Sequence, residues 1–394
     1  MKQSYFLTLL IIWIFILLSI KSTLAQTPEK IYGKNKVLKT NDYYLQQKDL
    51  WKKEVDKNPK NADGWYNYYR ASRNAYIVGE ENDSLNTKGI NRFGRLKKIV
   101  LEMEKNVPET FEYNYVKWIN GNNDQSLFPY LEKAHKISPE KSEPLMDLVY
   151  FYEIKGDYPQ RDKNIETFYH LGEYSPGLLN YSYNMLMGLD KDAIIFTEGD
   201  KDTDASLLLQ KGMRIREDVK LINVNLLLIK DYRERIFKEL GVTAFDIDPF
   251  ANDDNYNNYR ASVIEHFTKN NKNRPIYAAV TVSLPYTKDI KDKLYLTGLA
   301  YLYSPTTIDN NELLKKNFEQ VYALDYLKVY FPHDISEGNV HRFNENYFLP
   351  LAALYKHYLN NGNNLKTEYY KGLAHKIALD SDSMAAFETF FPNK

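Results

Sequence analysis

The sequence predicts an α/β plus all-α protein: paired helices, then a small unit with a mostly parallel sheet, then closing helices. Three observations carry this. From Asn41 to about Met187, aromatic and aliphatic residues recur at three- and four-residue spacing, as in Leu50, Trp51, Val55 and again in Trp65, Tyr68, Tyr69. From Gly188 to Pro305, β-rich runs alternate with helical ones, and after Pro305 the helical spacing returns. The expected domains are therefore 26–187, 188–305 and 306–394, behind an N-terminal segment 1–25 of different character.

In that segment Met1-Lys2-Gln3 supplies a short positive start, Tyr5 to Ile20 is almost unbroken apolar sequence, and Ser22-Thr23-Leu24-Ala25 ends in small residues. This is a signal-peptide pattern. The run is shorter than the roughly 20 residues a spanning helix needs, so cleavage after Ala25 is expected. The body is then exported to the periplasm or cell envelope, and it meets the membrane only if the segment stays uncleaved.

The 394 residues hold 52 basic and 52 acidic side chains, no cysteine and 43% hydrophobic residues, which excludes disorder, thiolate metal sites and cysteine nucleophiles. Neutral charge also excludes a general nucleic-acid binder, which needs excess Lys and Arg against phosphate. The 34 tyrosines promise flat packing surface.

The helical region is punctuated at Asn58-Pro59-Lys60-Asn61, Ser138-Pro139-Glu140 and Tyr174-Ser175-Pro176, with polar loops expected at 82–88 and 120–125. Ala134 lies five residues before Pro139, Leu145 six after it, and Lys155-Gly156-Asp157-Tyr158 reads as a turn between helices. On these residues the region resembles degenerate tetratricopeptide repeats, stacked helix pairs of about 34 residues. Tyr66, Tyr68, Tyr69 and Tyr150, Tyr152 are expected to pack between such helices rather than to line a groove.

Strands are expected at 193–197, 219–226, 276–283 and 294–303, with helices at 204–213, 231–240 and 257–270. This alternation is that of a Rossmann-like sheet. The last run follows after too few residues for a helical crossover and is expected antiparallel at an edge. In such sheets ligands collect beyond the carboxyl ends of the strands. The segment Ile194 to Leu209 therefore holds the candidate site. Gly199 permits a tight turn, Thr203 or Asp204 is expected to cap the next helix, and Glu198, Asp200 and Asp202 crowd three carboxylates together, with Asn225 and Ser283 at neighbouring strand ends. Crowded carboxylates suit a divalent cation, with Asp200 and Asp202 as its ligands. No other cofactor is expected. Turn and cap chemistry on a solvated loop competes with that reading. His333, Asp334 and His341 form a further candidate metal group, and Glu265-His266 reads as an exposed or satisfied helical pair. The sequence contains no HExxH, GxSxG, P-loop or GxGxxG.

The spacing Asp200-Lys201-Asp202 resembles the paired aspartates that hold metal and sugar nucleotide in many glycosyltransferases. More broadly, AIIFTEGDKDT, REDVKLINVNLL, RPIYAAVTVS, LYLTGLAYLY and NVHRFNENYFLPLAALYKHYL, in that order, resemble the soluble C-terminal region of a bacterial family of multi-spanning membrane glycosyltransferases of protein O-mannosyltransferase type. The resemblance covers residues 175–394. It departs where that family has Asn or Asp between the aspartates and an aromatic after the Thr; here those places hold Lys201 and Asp204. The family's membrane-embedded catalytic half has no counterpart in these 394 residues. The resemblance therefore implies an exported, non-enzymatic interaction protein of the bacterial envelope, whose partner is an envelope protein or glycan-assembly component. A metal-dependent glycan-processing enzyme and a solute-binding module at the acidic turn stay open as alternatives.

Overall fold

The computed structural model describes residues 27–79, 92–122, 124–271, 274–329 and 334–392; the expected export segment and the polar loop 82–88 lie outside them. The chain divides into two compact units, one of Met1–Tyr32 with Lys39–Asp124, the other of Gly33–Leu38 with Gln125–Lys394.

The first unit is built of helix pairs. Helix α1 (Asn41–Lys57) is capped by Thr40, whose side chain accepts from Tyr43 N–H, and buries Tyr44, Gln47, Trp51 and Val55 on one face. It is followed by α2 (Ala62–Gly79). The Asn58 to Asn61 punctuation closes the pair: Trp65 Nε1 donates to the Pro59 carbonyl at 2.9 Å, and Asn61 Oδ1 accepts from Gly64 N–H. Buried side chains of both helices also organise the chain before α1. Asn67 Oδ1 accepts from Ile31 N–H at 2.7 Å, while Trp51 Nε1 donates to the Glu29 carbonyl at 2.8 Å. A second pair, α3 (Arg92–Asn106) and α4 (Phe111–Asn120), turns at Val107 to Thr110, and Thr110 caps α4. Tyr66 and Tyr69 are buried between helices, Tyr66 stacking on Tyr115, as packing residues do.

The second unit begins with α5 (Phe128–Ile137), α6 (Leu145–Lys155), α7 (Tyr158–Leu171) and α8 (Pro176–Met187). Gly156, at φ +76°, ends α6 in the left-handed conformation and Asp157 caps α7, so the predicted 155–158 turn is in place. Ser175 caps α8.

Then follow β1 (Ile194–Thr197), α9 (Asp200–Gly212), β2 (Lys220–Asn223), α10 (Lys230–Leu240), α11 (Asp253–Asn270), β3 (Ile276–Ala279), the single turn α12 (Leu284–Thr287), β4 (Leu294–Leu296) and β5 (Ala300–Tyr303). The strand order is β2-β1-β3-β5-β4. Strands β1, β2 and β3 pair in parallel, with Ile194 opposite Lys220 on one side and Ile276 on the other. Strands β3, β5 and β4 pair antiparallel.

The sheet is thus mixed, which corrects the expected mostly parallel Rossmann-like arrangement. The reason lies in the run 294–303, expected as one strand. It is a hairpin broken at Thr297-Gly298-Leu299, and so short a link permits only antiparallel pairing. β1 and β3 are buried throughout, as strands covered on both faces are.

The C-terminal helices are α13 (Asn311–Lys316), α14 (Asp325–Lys328), α15 (Glu337–Asn344), α16 (Phe348–Asn360), α17 (Asn364–Ser381) and α18 (Met384–Phe390). The expected single helix 311–330 is interrupted by a π turn at Asn317–Val321. These helices share one core with the sheet: Tyr347, Leu351, Tyr370 and Ile377 cluster with Ile194, Phe196 and Phe267. Helix α8 belongs to the same core. Its fully buried Asn184 donates to Tyr347 Oη at 2.9 Å and accepts from Ala323 N–H. The chain therefore does not part at 187/188, where a domain boundary was expected. A buried amide spans that point because burying it unpaired would cost about 1–3 kcal/mol.

The hairpin corner depends on Gly298, which sits at φ +150° with its missing Cβ only 2.0 Å from the Tyr322 hydroxyl; that hydroxyl accepts from Leu299 N–H. Gly298→Ala combines forbidden backbone with a clash and is expected to cost about 2–4 kcal/mol in chemical denaturation. A loss under about 1 kcal/mol would show that the corner is not held this tightly.

Candidate functional site

The candidate site is assembled at the carboxyl ends of β1, β2 and β3. α9 begins at Asp200, two residues after β1, with Gly199 as its cap residue. The first turn of any helix leaves N–H groups without intrahelical partners, and an acid three residues in can satisfy them. Asp202 does this: Oδ1 accepts from Gly199 N–H at 3.0 Å and Oδ2 from Glu198 N–H at 3.3 Å. Oδ2 also accepts from the Thr281 hydroxyl at 2.5 Å, tying the turn after β3 to the helix. Glu198 makes a parallel tie, its carboxylate accepting from Ser283 N–H at 2.6 Å and from Ser283 Oγ at 3.0 Å.

Below these, the Thr203 hydroxyl pairs with that of Thr197 and accepts from Asn223 Nδ2. Asn225 Nδ2 donates to the Glu198 carbonyl. The structure thus brings Glu198, Gly199, Asp202, Thr203, Asn225 and Ser283 into one network, joined by Thr281 and Asn223.

Asp200 stands apart. The sequence placed the helix start at Thr203 or Asp204, with the three acids in a loop; the helix starts earlier and takes Asp200 and Asp202 into its first turn. Residues two apart on a helix point about 200° apart, so the two carboxylates splay to opposite sides and do not form the expected metal pair. Among the described residues no group of three or more His, Cys, Asp or Glu side chains is placed to hold a metal ion.

Asp204, one turn on from Asp200, is buried and bonded to the Tyr150 hydroxyl of α6. Burial, with Asp200 nearby, pushes its carboxyl well above the usual range. Burial likewise pushes Asp202 up to about 6, against the pull of its hydrogen bonds.

The other metal candidates are accounted for differently. His333 lies outside the described residues. The Asp334 carboxylate accepts from Ser175 Oγ, Gly177 N–H and Ser336 N–H, fastening the start of α8, while His341 faces Glu337 at 3.8 Å. Glu265 pairs with Lys269, and His266 Nε2 bonds the Thr243 carbonyl, so that pair is satisfied.

Sequence reasoning missed two features. A cleft of about 360 Å³ runs between the edge strand β2 and the hairpin α6–α7, lined by Tyr150, Glu153, Arg161, Gln210, Lys220 and Tyr232. Its floor carries a largely buried ion pair, Arg161 to Glu153 at 2.5 Å. Second, Arg260 of α11 donates through Nε to Asn225 Oδ1 at 2.8 Å, beside the strand-end network. Its only trace in the sequence is Tyr256, one helical turn before it.

A family described as TMEM260-associated domain 2 matches residues 178–266, which run from α8 through β1, α9, β2 and α10 into α11. The crystal structure of yeast Tom70 is similar at 12% identity and a TM-score of 0.27, over 89% of this chain and 58% of Tom70, so the chain spans less than two thirds of that protein's length. No curated protein matches.

The raised Asp202 carboxyl binds its proton more tightly folded than unfolded. Between about pH 4, its ordinary value, and about pH 6, the folded state holds more protons, so stability falls as pH rises through this window and levels off above it. Relative to Asp202→Asn, which does not titrate, the wild-type protein is expected to lose on the order of 2–3 kcal/mol from pH 4 to pH 7 in urea melts. Parallel curves for the two proteins would mean that Asp202 ionises freely.

Proposed function

We propose that this chain is an exported, non-enzymatic interaction protein of the bacterial cell envelope, accessory to glycan or surface-protein assembly. The observation that carries the non-enzymatic part is the use made of the strand-end carboxylates. Glu198 is occupied by two donors from Ser283, and Asp202 by two backbone N–H groups and Thr281. A general base or metal ligand needs lone pairs free to meet a substrate or ion. Here both oxygens of each carboxylate are engaged in joining the end of β1 and the start of α9 to the turn after β3, and the site acts as a fastener.

Export rests on the signal-like pattern of residues 1–25. The link to glycan or surface-protein assembly rests on the resemblance of residues 175–394 to the soluble region of membrane glycosyltransferases. The interaction role is supported by the helix pairs within each unit, since paired helices offer ridged surfaces with no built-in chemistry. The partner this reading calls for is an envelope protein or a glycan-assembly component.

Calorimetry of the purified full-length protein against Mg²⁺, Mn²⁺ and Ca²⁺ at millimolar metal is expected to give no saturable heat. Crosslinking in the native envelope is expected to recover the same partner from the wild type and from Asp200→Ala. Saturable metal binding that disappears in Asp200→Ala, or loss of the partner in that variant, would overturn the reading in favour of metal chemistry at the turn.

A further inference from the structure

Arg260 is 7% exposed as a residue, and no carboxylate lies within ion-pair distance of its guanidinium among the described residues. Buried charges are ordinarily paired, because their desolvation is otherwise uncompensated. Its compensation is aromatic. The guanidinium carbon lies 5.2 Å from the ring centroid of Tyr256 and 5.0 Å from that of Tyr286, a clamp of two cation–π contacts. Asn225 holds Nε, and through its other amide atom it holds the Glu198 carbonyl, so the position of the group is set by the ends of β1 and β2 and by the turn after β3.

The two terminal nitrogens donate to nothing described, yet neither is sealed from solvent. Other arginines of this unit are used differently. Arg216 spends its fork on Asp218 and on the carbonyls of Leu186, Leu189 and Asp190, and Arg235 spends its terminal nitrogens on the carbonyls of Glu153 and Ile154. Arg260 alone of the three is fixed at one nitrogen and open at two. Phe250 lies tilted against Tyr256 at 6.0 Å between centroids, and the two residues are 67% and 42% exposed, an apolar wall that continues from the ring the guanidinium meets.

We propose that Arg260, with Phe250, Tyr256 and Tyr286, forms a binding site for a small organic oxyanion, a carboxylate or phosphate carried on a ring-sized body. The oxyanion takes one N–H from each of the two terminal nitrogens of the planar fork, the geometry that favours Arg over Lys at such sites. The body of the ligand lies against the exposed face of Phe250. The site does not depend on the interaction role proposed above, and it uses neither Asp200 nor Asp202 as a ligand.

The test titrates the full-length protein with inorganic phosphate, glucose 6-phosphate and glucuronate, followed by calorimetry and by the shift in melting temperature. Saturable binding of one of the two sugar acids is expected, and which one binds identifies the oxyanion; inorganic phosphate should bind more weakly than a sugar phosphate. Arg260→Lys keeps the charge and the clamp but loses the fork, and is expected to weaken binding about tenfold or more. Phe250→Ala alters an exposed ring, so folding is unaffected, and it should weaken the sugar ligand several-fold while leaving inorganic phosphate unchanged. Absence of saturable binding to all three probes in the wild type overturns the proposal, as does unchanged affinity in a folded Arg260→Lys protein. Failure of this experiment leaves the calorimetric and crosslinking results of the interaction role untouched.

Discussion

The rim of the sheet depends on one constraint: the backbone N–H groups of Glu198 and Gly199, between a buried strand and the helix that follows it, must find acceptors. Asp202 meets that need from within the helix and, through its second oxygen, reaches Thr281 beyond β3. A single carboxylate thereby fixes the exit of β1 and the entry of α9, and holds the turn after β3 against both. The cost is a charged group that is 1% exposed, and its raised pKa is the measure of that cost. Had these acids been free in a loop, the turn would be a ligand site; as built, it is a joint.

The same economy recurs where helix packs on sheet. The hairpin α6–α7 is held to the α/β part through Tyr150, whose hydroxyl meets the buried Asp204 of α9. At the other end of the contact, Tyr158 bonds Glu239 and lies in the midst of Arg161, Lys220 and Arg235. Lys220 is on the edge strand β2, so the helical hairpin covers part of an edge that would otherwise invite pairing with another chain. The tyrosines that the composition promised as flat packing surface serve here as polar pins, joining two kinds of element through ring and hydroxyl together.

Much of the architecture was legible in the residues themselves. Asn58-Pro59, Ser138-Pro139, Gly156-Asp157 and Ser175-Pro176 each fall between helices, because cap and turn residues act on the backbone within a few positions. Strands β1, β2 and β3 lie within the β-rich runs expected at 193–197, 219–226 and 276–283. The helix start at Asp200 was not legible, since Thr203 and Asp204 are equally good cap residues by type, and the bond of Asp202 to Thr281, nearly eighty residues on, leaves no local trace. The hairpin of β4 and β5 was read as one strand for a similar reason: Gly298 is tolerated in many contexts, and its left-handed backbone is imposed by Tyr322 packed against it.

What this sequence determines alone is therefore local: which stretches are helical, where they end, which runs are strands, and that the acids after β1 lie at strand ends. Those outcomes follow from periodicity and from side chains that reach their own backbone. What tertiary structure decided is the partnership between distant residues. It turned Asp202 from a metal ligand into a cap, placed Asn184 in the core of the sheet and its closing helices, and set Arg260 beside two tyrosines with both terminal nitrogens of its fork unspent. The physical reason is that a buried polar group must find its partner wherever the fold brings one, and that choice is written in three-dimensional proximity, not in spacing along the chain.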